Sequence, residues 1–411
     1  MRSFRITTGL VLVLLSQFAA AEPDAAIAHP LRWSDPNGTP AGTRRSACLP
    51  LTDDVEESWS LRLPGAVAAP IIYWERIAYL ICRGKKDSHY LVAVDVIEGK
   101  LLSKKLLPKG PPPQPVVWDG RVYMTIGGTE LTEYSRAGKT FNRVYTHKLA
   151  QTTLSHPIVF ENEIYVVADG FLMRIRARRR SPVWTAGDDT LRGRPALYGR
   201  HVYVVGRGQQ HGFAPSMHLY VFDRKDGSRV LAHNVAEYRR GGIPDASKPA
   251  SITVTESQVI IGAPTPLRTR GVACSHVMID RRYQDNVLTV GHYPARLQNY
   301  PVPPAMTPLG NLVFTSAKPI GWVIQTLKGG RYISTVQENR DLYDRAQRVG
   351  PTVLGDIVYF GAWAADIRTR RILWRLPVGQ LRYPAVPIDG GVLIVDDLVT
   401  LREFRARRRT R

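Results

Sequence analysis

Along most of this chain, brief apolar runs are separated by short polar turns. The stretch Trp374–Val395 shows the unit. A tryptophan opens a short strand; Pro384 follows with Ala385 and Val386 behind it; Asp389-Gly390 turns the chain, and Val392-Leu393-Ile394-Val395 forms a second strand. The proline anchor recurs at Pro70, Pro115, Pro157, Pro195, Pro249, Pro304, Pro351 and Pro384. Most copies continue into a polar turn and a Val/Ile/Tyr-rich strand, as in Asp119-Gly120-Arg121-Val122-Tyr123 and Gly199-Arg200-His201-Val202-Tyr203. Aspartate, asparagine and glycine tolerate the positive φ of a tight turn, and branched or aromatic residues suit a packed pleated surface.

Successive anchors stand 33 to 55 residues apart. That spacing leaves room for four short strands per copy and predicts an all-β, eight-bladed β-propeller of four-stranded antiparallel blades. A β-sandwich or a parallel β-helix accounts for eight such anchors less well. The two longest intervals predict insertions within Gly206–Ser216, within Pro264–Ser275 and around Val290–Pro303. Trp59–Leu63 alternates apolar and polar residues like a half-buried strand, yet no blade precedes it. The last unit ends at Leu398–Phe404 without a fourth strand. The N-terminal strand is therefore expected to complete the last blade and remove an open edge.

A second signature closes each unit. Ala364-Ala-Asp366-Ile-Arg-Thr369 leads to Trp374; Asp95 is followed by Gly99, and Asp223 by Gly227. These residues resemble the PQQ-like, quinoprotein-type β-propeller repeat over about residues 57–404, with Arg370 in place of one turn glycine and Ser103 in place of one tryptophan. The resemblance implies eight blades closed by strand exchange. It also raises a cofactor, since quinoprotein dehydrogenases hold PQQ with calcium, stacked between a tryptophan and a ring formed by two adjacent cysteines. The sequence has no Cys-Cys pair, and Trp59, Trp184 and Trp374 fall at outer-strand positions that packing explains. The expectation is the non-catalytic branch, with no cofactor and no metal or catalytic residue assigned. PQQ with calcium is kept as the alternative. One branch of the family is the periplasmic scaffold of outer-membrane barrel assembly; this chain has no cysteine close behind its first apolar run to carry a lipid.

Residues 1–21 read as a signal peptide: Arg2 and Arg5, an apolar core at Leu10–Leu15, and Ala19-Ala20-Ala21 as the cleavage site. The apolar run is too short to span a bilayer. Residues 22–56 carry several prolines and no sustained period, and predict a loose extension. Residues 405–411 are a basic tail. The chain is expected to be periplasmic or secreted, monomeric, and free of membrane spans. Of three cysteines, Cys48 and Cys82 are the expected disulfide in an oxidising compartment, with three free thiols as the other reading.

The net charge of +21 points to acidic partners, though arginine is spread through nearly every segment. The run Arg174–Arg180 is expected along a solvent-facing strand, and the acidic pairs at 53–54, 188–189 and 396–397 in solvated turns. No aromatic residues interleave with the basic runs, so nucleic acid is not expected. The functional expectation is an exported binding or scaffold protein of the cell envelope, with a protein partner or an acidic glycan. The alternatives are a quinone-dependent dehydrogenase and a polyanion binder. Contact residues are sought on the long loops, at His211, Phe213, Tyr293 and Tyr300.

Overall fold

The computed structural model describes residues 51–149, 156–208, 216–234 and 350–407, a few single positions apart. It also describes the segments 32–33, 45–46, 251–255, 258–266, 272–280, 289–291, 305–307, 312–317, 320–325 and 332–335. Among the described residues there is no helix, and the strands sort into eight sheets.

Three strands come first: β1 (Arg32–Trp33), β2 (Arg45–Ser46) and β3 (Val55–Arg62). The first sheet then holds β4 (Ile72–Trp74), β5 (Ile77–Arg83), β6 (His89–Asp95) and β7 (Lys100–Leu107). The second holds β8 (Val116–Trp118), β9 (Arg121–Ile126), β10 (Glu130–Ala137) and β11 (Thr140–Lys148). The third holds β12 (Ile158–Phe160), β13 (Glu163–Ala168), β14 (Phe171–Arg176) and β15 (Trp184–Ala186). The fourth holds β16 (Leu191–Tyr198), β17 (His201–Gly208), β18 (Ser216–Asp223) and β19 (Arg229–Asn234). The fifth holds β20 (Ser251–Val254), β21 (Gln258–Pro266), β22 (Val272–Asp280) and β23 (Thr289–Gly291). The sixth holds β24 (Ala305–Met306), β25 (Leu312–Ala317), β26 (Ile320–Gln325) and β27 (Tyr332–Thr335). The seventh holds β28 (Thr352–Leu354), β29 (Ile357–Phe360), β30 (Trp363–Asp366) and β31 (Ile372–Arg375). The eighth joins β32 (Val386–Ile388), β33 (Gly391–Asp396) and β34 (Thr400–Ala406) to β3.

Each anchor proline stands just ahead of the first strand of its sheet, where its missing N–H costs no ladder bond. Pro195 is the exception. It lies within β16, at a register break between Arg192 and Ala196. Five of the eight second strands carry a buried tyrosine at their third position: Tyr79, Tyr123, Tyr165, Tyr203 and Tyr359. First strands such as β4, β28 and β32 are buried throughout, whereas the fourth strand β7 and the closing strand β3 are partly exposed. First strands of neighbouring sheets also touch, β4 with β8, β8 with β12, β24 with β28, and β32 with β4. The first strands thus lie inside and the fourth strands outside.

Sheets pack face to face in chain order. Tyr79 and Ile81 meet Val122 and Phe141; Tyr123 and Leu131 meet Ile164 and Val166; Tyr165 and Leu172 meet Val202 and Val204. Further clusters join the fourth sheet to the fifth, the sixth to the seventh and the seventh to the eighth. The eighth sheet packs on the first, with Val386, Leu393 and Leu401 against Tyr73, Leu80 and Val92. Burying each such side chain contributes about 1.5–3 kcal/mol, so these interfaces carry most of the stability. The pairing of β3 with β34 is antiparallel from Val55 to Arg62. Arg402 ties that pair together, its Nη1 2.6 Å from Glu57 and its Nε 3.0 Å from Asp396.

Three expectations are corrected here. The N-terminal extension is not loose throughout. β1 pairs antiparallel with β4, and β2 pairs parallel with β28, each beside a first strand. Leu51 is buried; its N–H donates to the Tyr359 hydroxyl at 3.0 Å and its carbonyl accepts from Trp374 Nε1 at 2.9 Å. Backbone pairing of this kind leaves no side-chain period to read. The arginine run is not simply solvated, because Arg174 and Arg176 both pair with Glu163. Asp396 is buried on the Arg402 ion pair rather than solvated in a turn.

Candidate functional site

The motif aspartates cap turns. Asp95 Oδ1 accepts from the N–H groups of Ile97 (2.8 Å) and Glu98 (3.1 Å); Asp223 Oδ1 accepts from Lys225 N (2.8 Å). Asp366 Oδ1 accepts from Arg368 N (2.7 Å) and Thr369 N (2.9 Å). Gly99 and Gly227 sit behind the first two at φ 63° and 76°, the region where glycine has no steric penalty.

Two of the motif tryptophans dock on the sheet ahead of their own, while Trp374 donates to the carbonyl of Leu51 in the N-terminal segment. Trp59, in the closing strand of the eighth sheet, lies over the Asp95–Gly99 turn of the first and donates to Val96 O at 2.7 Å. Trp184 lies over the Asp223–Gly227 turn and donates to Arg224 O at 3.1 Å. A Cβ on Gly99 would stand 2.7 Å from the Trp59 ring, and one on Gly227 2.8 Å from the Trp184 ring. The turn glycine is thus the seat of the preceding sheet's indole. Arg370 departs from the pattern where β27, the fourth strand of the preceding sheet, contains no tryptophan.

Arg224 extends the junction between the third and fourth sheets. Its guanidinium lies 5.0 Å from the Phe160 ring centroid and donates to the Tyr165 hydroxyl (3.1 Å) and Gly199 O (3.0 Å). Arg174 donates to Arg224 O (2.8 Å) and Lys225 O (2.9 Å) while pairing with Glu163. Burial pushes the Glu163 carboxyl up, but Arg174 and Arg176 outweigh it and hold the group below the usual range.

PQQ with calcium, which the repeat raises, does not fit the residues that match the repeat. Their aspartates engage turn N–H groups and their indoles engage neighbouring carbonyls. The chain's own strands β1 and β2 lie along two of the first strands, inside the array.

Of the other expected site residues, Cys82 forms no disulfide among the described residues; it is buried between the first and eighth sheets, and burial pushes its thiol pKa up to about 12. Cys48, its expected partner, lies outside the described residues, as do His211, Phe213, Tyr293, Tyr300 and the signal segment.

A cleft of about 420 Å³ opens at one end of the first sheet. The hairpin between β5 and β6 forms one wall, with Arg83, Gly84, Asp87, Ser88 and His89; Gly110, Pro111 and Pro112, between the first and second sheets, form the other. Arg83 and His89 are direct partners across the strand pair, so their side chains share a sheet face. His89 is only 6% exposed, and its buried Nδ1 has no hydrogen-bond partner among the described residues. Burial and then Arg83 lower its pKa. The sequence offered a weak signal for this cleft, a Gly-Lys-Lys-Asp-Ser-His hairpin facing a proline run, which no motif reading selects.

Sheets of four strands with their first strands inside and fourth strands outside define a β-propeller-type architecture. Residues 87–262 match the family model PQQ_2, described as "Outer membrane protein assembly factor BamB". Over that segment the chain resembles the PQQ-like repeat family. Among solved structures, it resembles a europium-containing methanol dehydrogenase (TM-score 0.64, 12% identity, 92% of this chain and 98% of that one). BamB from Moraxella catarrhalis is also similar (TM-score 0.53, 14% identity, 87% and 99% of the two chains). So is the computationally designed protein Ika8 (TM-score 0.57, 12% identity, 84% and 98%). At these identities the likeness is one of fold. No curated protein matches in sequence.

Proposed function

We propose that this chain is an exported, non-catalytic propeller of eight blades, closed by β3, that acts as a binding scaffold for a protein partner in the cell envelope. The observation that carries the reading is the use made of the repeat's polar residues. The motif aspartates and indoles hold turns and neighbouring sheets together, and the outer surface and blade-end loops remain for recognition. The match to a family described as an outer-membrane assembly factor supports the same reading, and Cys48 remains a proposed partner for Cys82 in the oxidising compartment. Closure is supported by the β3–β34 pairing and the apolar contact between the eighth and first sheets.

The test is crosslinking in the native envelope followed by affinity recovery and mass spectrometry. A discrete protein partner, recovered in stoichiometric amount, is the expected result. Recovery of the protein alone, together with dye-linked oxidation of alcohols on adding quinone and calcium, would replace the scaffold with the dehydrogenase.

A further inference from the structure

We infer that the cleft between the β5–β6 hairpin and the Gly110–Pro112 wall binds a carboxylate-bearing, extended segment of the protein partner; this deepens the scaffold reading above and rests on it. Arg83 and Asp87 both line the cleft, and Lys85 and Lys86, outside the lining on the same hairpin, leave the hairpin's charge in favour of an anion. Arg83 is exposed, and its planar guanidinium takes a carboxylate in a two-pronged fit. Beside it, on the same face of the strand pair, the buried His89 has a ring nitrogen, Nδ1, with no hydrogen-bond partner among the described residues. A buried polar atom left this way is destabilising, and a ligand oxygen would relieve it.

The cleft is also preformed. Gly84 N donates to Ser88 O at 2.8 Å, Ser88 N to Lys85 O at 3.2 Å, and Ser88 Oγ to the same carbonyl at 2.7 Å. Lys86 and Asp87 turn the hairpin at φ 51° and 59°. A Cβ on Gly84 would stand 3.1 Å from the Tyr90 ring, and one on Gly110 3.2 Å from Gly127 Cα, so neither wall has slack. A preformed wall lowers the ordering cost of binding. Pro111 and Pro112 are exposed and apolar and carry no side-chain donor, which suits the flank of an extended peptide better than a sugar ring that needs several polar contacts.

Fluorescence anisotropy on the full chain, with a labelled peptide of alternating Glu and Ser, tests this inference. The expected result is saturable binding, with a Gln/Ser peptide at least about tenfold weaker. Arg83→Gln should weaken binding about tenfold, Asp87→Asn should tighten it about threefold, and Arg200→Gln, an exposed arginine on the fourth sheet, should leave it unchanged. His89→Gln, checked by its melting temperature, should weaken binding as well; Arg83 is exposed, so its variant folds normally. The inference is overturned if the Glu/Ser peptide does not bind, if the neutral peptide binds as well, or if Arg83→Gln acts no more than Arg200→Gln. Binding of a sulfated glycan in place of the peptide would overturn it in favour of a glycan. Capture of one envelope partner equally by the native protein and by Arg83→Gln would refute the cleft and leave the scaffold reading standing.

Discussion

Two junctions between neighbouring sheets solve the same problem differently. Where the eighth sheet meets the first, the Trp59 indole covers the Asp95–Gly99 turn and donates to Val96 O. Where the first meets the second, Ser103 stands in the tryptophan's place; its hydroxyl donates to Gly138 O at 2.7 Å, and Lys104 N to Lys139 O at 3.3 Å. Both turn glycines have positive φ, 63° and 56°. A Cβ on Gly99 would strike the indole, whereas one on Gly138 would meet nothing within 4 Å. Glycine is demanded twice over at the first junction, by the backbone and by the ring above it. At the second the backbone alone demands it.

The largest expected effect breaks the tryptophan junction. Trp59→Ala removes a large apolar plate and one hydrogen bond at the strand that completes the eighth sheet, and should cost about 3 kcal/mol in denaturant unfolding. Gly99→Ala adds a ring clash to the backbone strain and should cost about 2–3 kcal/mol, against about 1 kcal/mol for Gly138→Ala. Equal losses at the two glycines would dissolve the distinction. Ser103→Ala should be the mildest, at about 1 kcal/mol for one lost hydrogen bond.

Acid should act away from both junctions. Burial lowers the His156 pKa from 6.5 to about 4. Its folded value lies below its unfolded one, so the stability it protects is fully present above about pH 6.5. That stability is lost as the pH falls towards 4, by at most about 3 kcal/mol. His156→Gln should flatten the fall in melting temperature across that window.

The proline anchors located every sheet, because a residue without an N–H has few places to stand in a ladder. Asp95, Asp223 and Asp366 were recognisable as turn residues because their bonds are local. What escaped the sequence is long-range. Nothing at Arg32 or Arg45 announces a pairing with a strand far along the chain, and Asp396 looked solvated until Arg402 was folded against it. The run at Arg174 looked exposed because the buried carboxylate it meets, Glu163, lies on the neighbouring strand. The cleft escaped because Arg83 and His89 become a pair only through strand register.

The central claim is that the repeat's motif residues serve the junctions between sheets and not a cofactor. Calorimetric titration of the purified chain with PQQ in the presence of calcium tests it directly, with Asp366→Asn measured beside the native protein. The account predicts no saturable heat for either, and a lower melting temperature for the variant. Saturable binding by the native chain that Asp366→Asn abolishes would contradict it.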